Sequence, residues 1–391
     1  MNRDNTGTYK TSTAGGEPVR AYIPSPLPPA PPLDLQGPRA VLLERATQAL
    51  GQLEGAAALL PDKRLFLYAY VRREAVLSSQ IEGTQSSLSD LLLYEIDQAP
   101  GVPLDDVAEV SNYIAALEHG LQRLRSGFPL CNRLLREMHA LLMSGARGGD
   151  KDPGNFRRSQ NWIGGTRPGN ARFVPPPPGE VDSCMGALEG FLNESQNLPV
   201  LLKAALAHVQ FETIHPFPDG NGRLGRLLIT LIMQHGGLLT EPLLYLSLHL
   251  KKHRALYYEL LDRVRSRGDW EAWLDFFLDG VHMTAKGGVE TANNLAALFQ
   301  KDRELVLGTG LAGRASLLAA FEALRERPIL NLAELSKASS LSFPTASKAI
   351  EKLATLGIAR ELTGQRRNRL FAYSAYLHLL TPEDPPAKPL N

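Results

Sequence analysis

Residues Leu227–Met233, LLITLIM, are apolar on every side of a helix, and a helix of that kind is stable only when neighbours cover it all round. A chain containing it must build a thick, many-helix body. The segment before it, LLKAALAHVQFETI (Leu201–Ile214), carries the same helical periodicity. Between them stands HPFPDGNGRLGR, His215–Arg226, with a histidine, an acid, an amide, two arginines and three glycines. Polar groups set between core helices cost desolvation unless they find partners. The pattern therefore predicts a ligand.

With 391 residues the chain can support two or three domains with sizeable cores. A formal net charge of +1 gives no general attraction to nucleic acid or membrane. Cys131 and Cys184 are the only cysteines, which excludes a disulfide framework or a Cys-rich zinc site and suits a reducing compartment. The polar opening MNRDNTGTYKTSTAGGEP is no secretory signal, and no apolar run approaches the ~18 residues of a membrane span. The expectation is a cytoplasmic protein with no membrane partner.

The expected fold class is mainly α, in six parts. Residues 1–35 form a Pro-rich arm ending in YIPSPLPPAPPLD, whose prolines favour an extended path. Residues 36–104 form an N-terminal helical domain, and residues 105–285 a helical core. Inside that core Asn155–Glu180 is an exception: TRPGN reads as a turn between two extended runs, so spacing predicts a small hairpin or an irregular surface loop. Residues 286–325 form a helical linker. In 326–380 two short helices separated by SLS, the second from Pro344 to Gly357, precede two extended runs around TGQRRN, the order of a winged helix-turn-helix. Arg325–Tyr376 holds nine Lys/Arg against four Asp/Glu, and 381–391 is a tail.

GNGRLG fits G-x-G-x-x-G, but a helix precedes it rather than a strand, so the dinucleotide reading fails. A metal pair of His208 and His215, seven apart, is weaker than His208 as a packed residue. The stronger reading is a phosphate cradle. Gly220 and Gly222 flank Asn221 and permit the positive φ angles that gather backbone N–H groups on one point. A helix beginning near Asn221 adds its positive end. Arg223 and Arg226 lie three apart on one face, so both can reach one polyanion. Asp219 beside them is placed to hold Mg²⁺, and His215 at the mouth suits proton abstraction.

HPFPDGNGRLGR resembles the Fic-domain signature, H-P-F-x-D/E-G-N-G-R-x-x-R, at every fixed position. The similarity covers roughly residues 20 to 285. The resemblance implies transfer of AMP from ATP to a Ser, Thr or Tyr hydroxyl of a target protein. It makes His215 the general base and Asp219 the Mg²⁺ ligand. Gly220, Asn221, Gly222, Arg223 and Gly225 would bind the phosphates, and Arg226 the γ-phosphate. Tyr257 and Tyr258 would line the adenine pocket. Ile163, Gly164, Gly165, Thr166, Phe173 and Val174 would form a flap that pins the target segment in an extended pose.

SSQIEG, Ser78–Gly83, is by itself a helix end with an exposed Glu before a capping Gly. The resemblance changes its meaning: Fic proteins of the self-inhibited type carry S/T-x-x-x-E-G/N, matched by Ser78, Glu82 and Gly83. Glu82 would then pair with Arg226 where the γ-phosphate belongs. Alternatives stay open at this point. The same site could remove AMP from modified proteins. Residues 329–376 could make the chain a DNA-binding regulator, with Ser342, Thr345, Ser347 and Lys348 in a major groove and Arg366, Arg367 and Arg369 on phosphates, or could instead mediate contacts to a target or within a homodimer.

Overall fold

The computed structural model describes residues 3, 6–58, 63–96, 102–145, 151–194, 198–311, 313–364 and 368–381. Arg366, Arg367 and nearly all of the tail lie outside them. The arm expected at residues 1–35 begins as a hairpin: β1 (Gly7–Ala14) pairs antiparallel with β2 (Glu17–Pro24). Gly15 and Gly16, at φ 56 and 82, supply the two positive φ values of the two-residue turn. The prolines beyond form no regular helix or strand. Arg3 holds them, donating to Pro31 O at 2.8 Å, Pro32 O at 3.1 Å and the Glu271 carboxylate at 2.7 Å.

Helices follow in three groups. The first holds α1 (Pro38–Ala58), α2 (Lys63–Ile81) and α3 (Leu88–Tyr94). Ser87 and Asp90 form a capping box that starts α3. The second holds α4 (Leu104–Arg125), α5 (Asn132–Leu142), α6 (Pro178–Asn193), α7 (Val200–Ile214), α8 (Asn221–His235), α9 (Leu246–Lys252) and α10 (Arg254–Arg267). Every residue of α7 from Leu201 to Ile214 is buried except Lys203. α8 buries Leu227, Leu228, Ile229, Leu231, Ile232 and Met233 against it, as an all-round apolar helix requires.

α11 (Trp270–Leu307) runs for 38 residues along α1. It passes without a break through residue 285, where the sequence suggests that the core ends. Gly280 and Gly288 are not break points: a Cβ on Gly280 would stand 2.7 Å from His249 Cδ2, and one on Gly288 would collide with the Tyr70 hydroxyl. They are close-approach glycines within a spine.

The last group is α12 (Arg314–Glu326), β3 (Ile329–Asn331), α13 (Leu332–Ser339), α14 (Phe343–Thr355), β4 (Arg360–Glu361), β5 (Leu370–Ala372) and α15 (Ser374–Leu380). The three strands form one antiparallel sheet in the order β3-β5-β4. Its residues join the same hydrophobic core as α1–α11, through Phe299, Tyr373 and Tyr376 among others. Among the described residues no helix is long and apolar enough to cross a membrane.

Candidate active site

α7 ends at His215, whose left-handed backbone (φ 49, ψ 60) turns the chain sharply out of the helix. A β-carbon makes that conformation costly, and the next elements hold it in place. Arg157 donates from Nε to His215 O at 2.9 Å and from its backbone N to Pro216 O at 2.9 Å. The guanidinium thus sits on carbonyls at the negative end of α7. Asn221 closes the loop from the far side, its Oδ1 accepting from Phe217 N at 2.9 Å and its Nδ2 donating to Phe217 O at 2.8 Å. Both ends of that side-chain amide are occupied, so the Asn221 side chain shapes the loop and leaves only its backbone N–H to face an anion.

His139, which no sequence signal marked, clamps the same loop. Its Nδ1 accepts from Gly154 N at 2.8 Å, so Nε2 carries the proton and donates to Asp219 O at 3.0 Å. The ring stacks on Phe217 with centroids 3.8 Å apart. Burial pushes its pKa down to about 4, keeping the imidazole neutral.

Gly220, at φ 73, turns the chain into α8, whose first N–H groups have no partner within the helix. The cradle faces a cleft of about 260 Å³ lined by Glu82, Glu109, His215 and Pro218 through Arg223. Gly222 lies at its floor, where a Cβ would collide with Glu82 Oε1 and stand 3.1 Å from Arg226 Nη1. The Glu82 carboxylate therefore rests on the glycine. It pairs with Arg226 Nη2 at 2.7 Å. Ser78 fixes that guanidinium from behind, accepting at its Oγ from Nε at 2.8 Å and at its carbonyl from Nη2 at 2.9 Å. Burial works against the Arg226 charge, and the Glu82 carboxylate outweighs it. Gly83, at φ 106, ends the turn beyond α2 that aims Glu82 inward.

The two arginines expected on one polyanion diverge. Arg223 donates from Nη1 to Glu109 Oε2 at 2.9 Å, with side chains 4% and 6% exposed. Glu109, on α4, has no sequence mark either. Gly225 faces α7: a Cβ there would stand 2.6 Å from Glu212 Oε1, so its smallness brings two helices together. Tyr257 is buried, its hydroxyl on His208 Nε2 at 2.9 Å, while His208 Nδ1 meets Gly225 O at 3.0 Å. His208 is thus a packed residue. Neither Tyr257 nor Tyr258 lines the cleft.

His215 is half-buried and lines the cleft, with Nδ1 buried and unpartnered. Burial, then the charges of Arg265 and Arg157, push its pKa down to about 3, so the imidazole is neutral. Asp219 accepts from Gly220 N at 2.7 Å and pairs with Lys151 at 3.0 Å. Burial would raise its pKa, but these partners hold it below the usual carboxylate value. Among the described residues no three carboxylates, histidines or cysteines gather as a metal cage. One exposed carboxylate beside an anion cradle still fits Mg²⁺, which takes one or two carboxylates and completes its shell with phosphates and water.

The segment expected to form a flap is a single bridge, Ile163 N to Phe173 O at 2.8 Å and Phe173 N to Ile163 O at 3.1 Å, around a 3₁₀ turn at Pro168–Asn170. Gly164 and Gly165 take φ 69 and 76, and Thr166 N bonds Asn170 Oδ1 at 3.0 Å. Val174 O accepts from Tyr22 N of β2 at 2.9 Å, and Arg167 pairs with Glu17 at 2.8 Å. The N-terminal hairpin thus braces one edge of the flap.

Residues 129–233 match the Fic/DOC family model, and residues 40–122 the Fic/DOC family N-terminal model. The Fic/DOC match spans the cradle, and the N-terminal match includes Ser78, Glu82 and Glu109. Protein adenylyltransferase Fic of Culex quinquefasciatus is 31% identical over 252 residues, 62% of this chain and 46% of that protein. Its counterpart in Aedes aegypti is 32% identical over 214 residues, 52% of this chain and 39% of that protein. The chain thus spans about half or less of these relatives' lengths. A Fic family protein from Desulfovibrio desulfuricans G20 shares the fold at TM-score 0.58 and 21% identity, covering 88% of this chain and 98% of that one.

Proposed function

We propose that the chain transfers AMP from ATP to a side-chain hydroxyl of a target protein, and that Glu82 holds it inactive. The observation that carries this reading is the Glu82 carboxylate seated on Gly222 and paired with Arg226 at 2.7 Å. An anion site built at a helix entrance is filled by the chain's own anion, one loop from a neutral histidine. The names of the relatives support the same chemistry.

In the active state the γ-phosphate takes the place of Glu82 on Arg226, and the first N–H groups of α8 receive the remaining phosphate oxygens. His215 takes the proton of the target hydroxyl as its oxygen bonds to the α-phosphorus. The bridging bond to the β-phosphate breaks, and pyrophosphate leaves with the electron pair. Asp219, released from Lys151, would hold Mg²⁺, which when bound neutralises charge on the α- and β-phosphates. Arg223, locked on Glu109, lines the wall of the cleft as part of an ion pair. Ile163–Val174 would hold the target segment extended.

The test is labelled ATP with and without the brake. Glu82→Gly is expected to raise self-labelling from α-labelled ATP at least tenfold and to give none from γ-labelled ATP, while adding His215→Ala abolishes labelling. Equal labelling of wild type and Glu82→Gly removes the brake. Label carried by the γ-phosphate removes AMP transfer.

For residues 329–376 we propose a winged helix-turn-helix that contacts protein. Arg369, expected on DNA phosphate, instead pairs with Glu361 at 2.8 Å and Glu351 at 2.9 Å. Phe343 stands 54% exposed at the start of α14. The full chain should show no salt-dependent retention on duplex DNA; steep salt dependence reverses this assignment.

A further inference from the structure

Helices α2, α9, α11 and α15 line a second, half-open cavity of about 560 Å³, larger than the cleft at His215–Arg226 and within the ~300–1,000 Å³ typical of small-molecule sites. No residue of His215–Arg226 lines it. Its wall includes the stacked rings of Tyr70 and Tyr245, with Leu248, Met283 and Leu379 supplying apolar surface. Lys252, His253 and His378 are exposed beside it, as are Asp279 and Glu290, so the mouth carries both signs.

Its buried polar groups point to an occupant. Tyr245 and His249 are 2% and 8% exposed. The Tyr245 hydroxyl and His249 Nε2 are buried without a hydrogen-bond partner. A buried polar group left unpaired is costly, and here two share one cavity. The site is also sterically built: α11 carries glycine at 280 and 288, so that the His249 and Tyr70 rings can lie against its backbone. Burial pushes the His249 pKa down to about 4, so at neutral pH the ring is uncharged and can place its proton on Nε2. Arg73, 5% exposed and 5.4 Å from the Tyr245 ring centroid, adds a buried cation.

The Tyr245 phenol and the Arg73 guanidinium donate, and so does His249 Nε2 in the tautomer that carries its proton there. A group that only accepts satisfies the two unpaired ones together, and a carboxylate does so beside the cation. Water would answer the polar end and leave the aromatic and apolar walls without contacts. We propose that this cavity is a binding site for a small aryl carboxylate. Its ring lies among Tyr70, Leu248 and Met283, and its carboxylate accepts from Tyr245, His249 and Arg73. Tyr70 and Arg73 belong to α2, which also carries Ser78, so the occupant touches the helix that leads to Glu82. That regulatory consequence rests on the proposed brake; binding itself does not.

The test is calorimetric titration of the full nucleotide-free chain with 4-hydroxybenzoate, indole-3-carboxylate and 1-naphthoate. At least one should bind with one site per chain. Gly287→Leu places a side chain at the cavity wall where a Cβ meets nothing within 4 Å; it should weaken binding at least tenfold without lowering the melting temperature. The methyl ester of the bound acid should also bind at least tenfold more weakly. His215→Ala should bind as wild type does, which separates this site from the catalytic reading. The proposal is overturned if none of the three acids binds, if Gly287→Leu or the ester binds equally well, or if His215→Ala abolishes binding.

Discussion

Replacing Glu82 with glycine removes the carboxylate from Arg226 and leaves the rest of the cradle standing, because Ser78 still holds the guanidinium at 2.8 and 2.9 Å. The size of the effect follows from the contact. Arg226 is 2% exposed in its side chain and Glu82 34%, so one partner is dry and the other partly screened. A charge-assisted hydrogen bond contributes about 1.5–3 kcal/mol. Partial exposure of Glu82 favours the lower part of that range, about 2 kcal/mol. A triphosphate entering the wild-type chain must displace this contact, and at about 1.4 kcal/mol per tenfold that weakens its apparent affinity about thirtyfold. Titration with a non-hydrolysable ATP analogue and Mg²⁺ should therefore give a Kd about thirtyfold lower for Glu82→Gly than for wild type. Without nucleotide the variant should melt lower, because a buried guanidinium has lost its counter-charge, and saturating analogue should restore more stability to it than to wild type. Equal affinities in the two proteins would refute the argument that Glu82 occupies the nucleotide's place.

Other predictions follow from the same geometry. Gly222→Ala, which suits a helix but puts a methyl group where Glu82 Oε1 now sits, should leave the fold intact and lower AMP transfer in the Glu82→Gly background by about 100-fold; unchanged transfer would show that phosphate does not approach Gly222. Lys151→Ala should change stability by less than about 0.5 kcal/mol, since that ion pair is exposed, while lowering the Mg²⁺ concentration needed for half-maximal transfer. An unchanged requirement separates Asp219 from the metal. Glu212 is buried with Oε1 unpartnered, and burial pushes its pKa from 4.5 up to about 7. The folded chain thus keeps a proton that the unfolded chain loses, so stability falls as pH rises from 4.5 to 7, by up to about 3 kcal/mol. Glu212→Gln should raise the melting temperature at pH 8 and leave it unchanged at pH 4.5; equal shifts at both values would contradict the assignment.

The sequence made the helical body legible because its signal is local. LLITLIM had to be buried, and Gly220 announced a helix entrance, whereas Gly222, expected at positive φ, lies inside α8. The hairpin at Gly7–Pro24 was equally local, with two glycines between strand-forming runs, but the later prolines obscured it. What could not be read was whatever depends on partners far along the chain. Arg223 and Arg226 share a helix face, yet they separate because Glu109 and Glu82 approach from different directions. His139 and Arg157 shape the catalytic loop from 76 and 58 positions before His215, a relation no periodicity encodes. Tyr257 looked like a pocket residue until His208 was found against its hydroxyl. Gly280 and Gly288 make room for His249 and Tyr70, a role that depends on residues distant in the chain.

The most direct test of the central claim is a crystal structure of Glu82→Gly with a non-hydrolysable ATP analogue and Mg²⁺. The account predicts the γ-phosphate within hydrogen-bond distance of Arg226, the other phosphates on the Asn221–Arg223 amides, and the His215 imidazole open to a hydroxyl approaching the α-phosphorus. Phosphates bound elsewhere, or an imidazole turned into the protein interior, would contradict it.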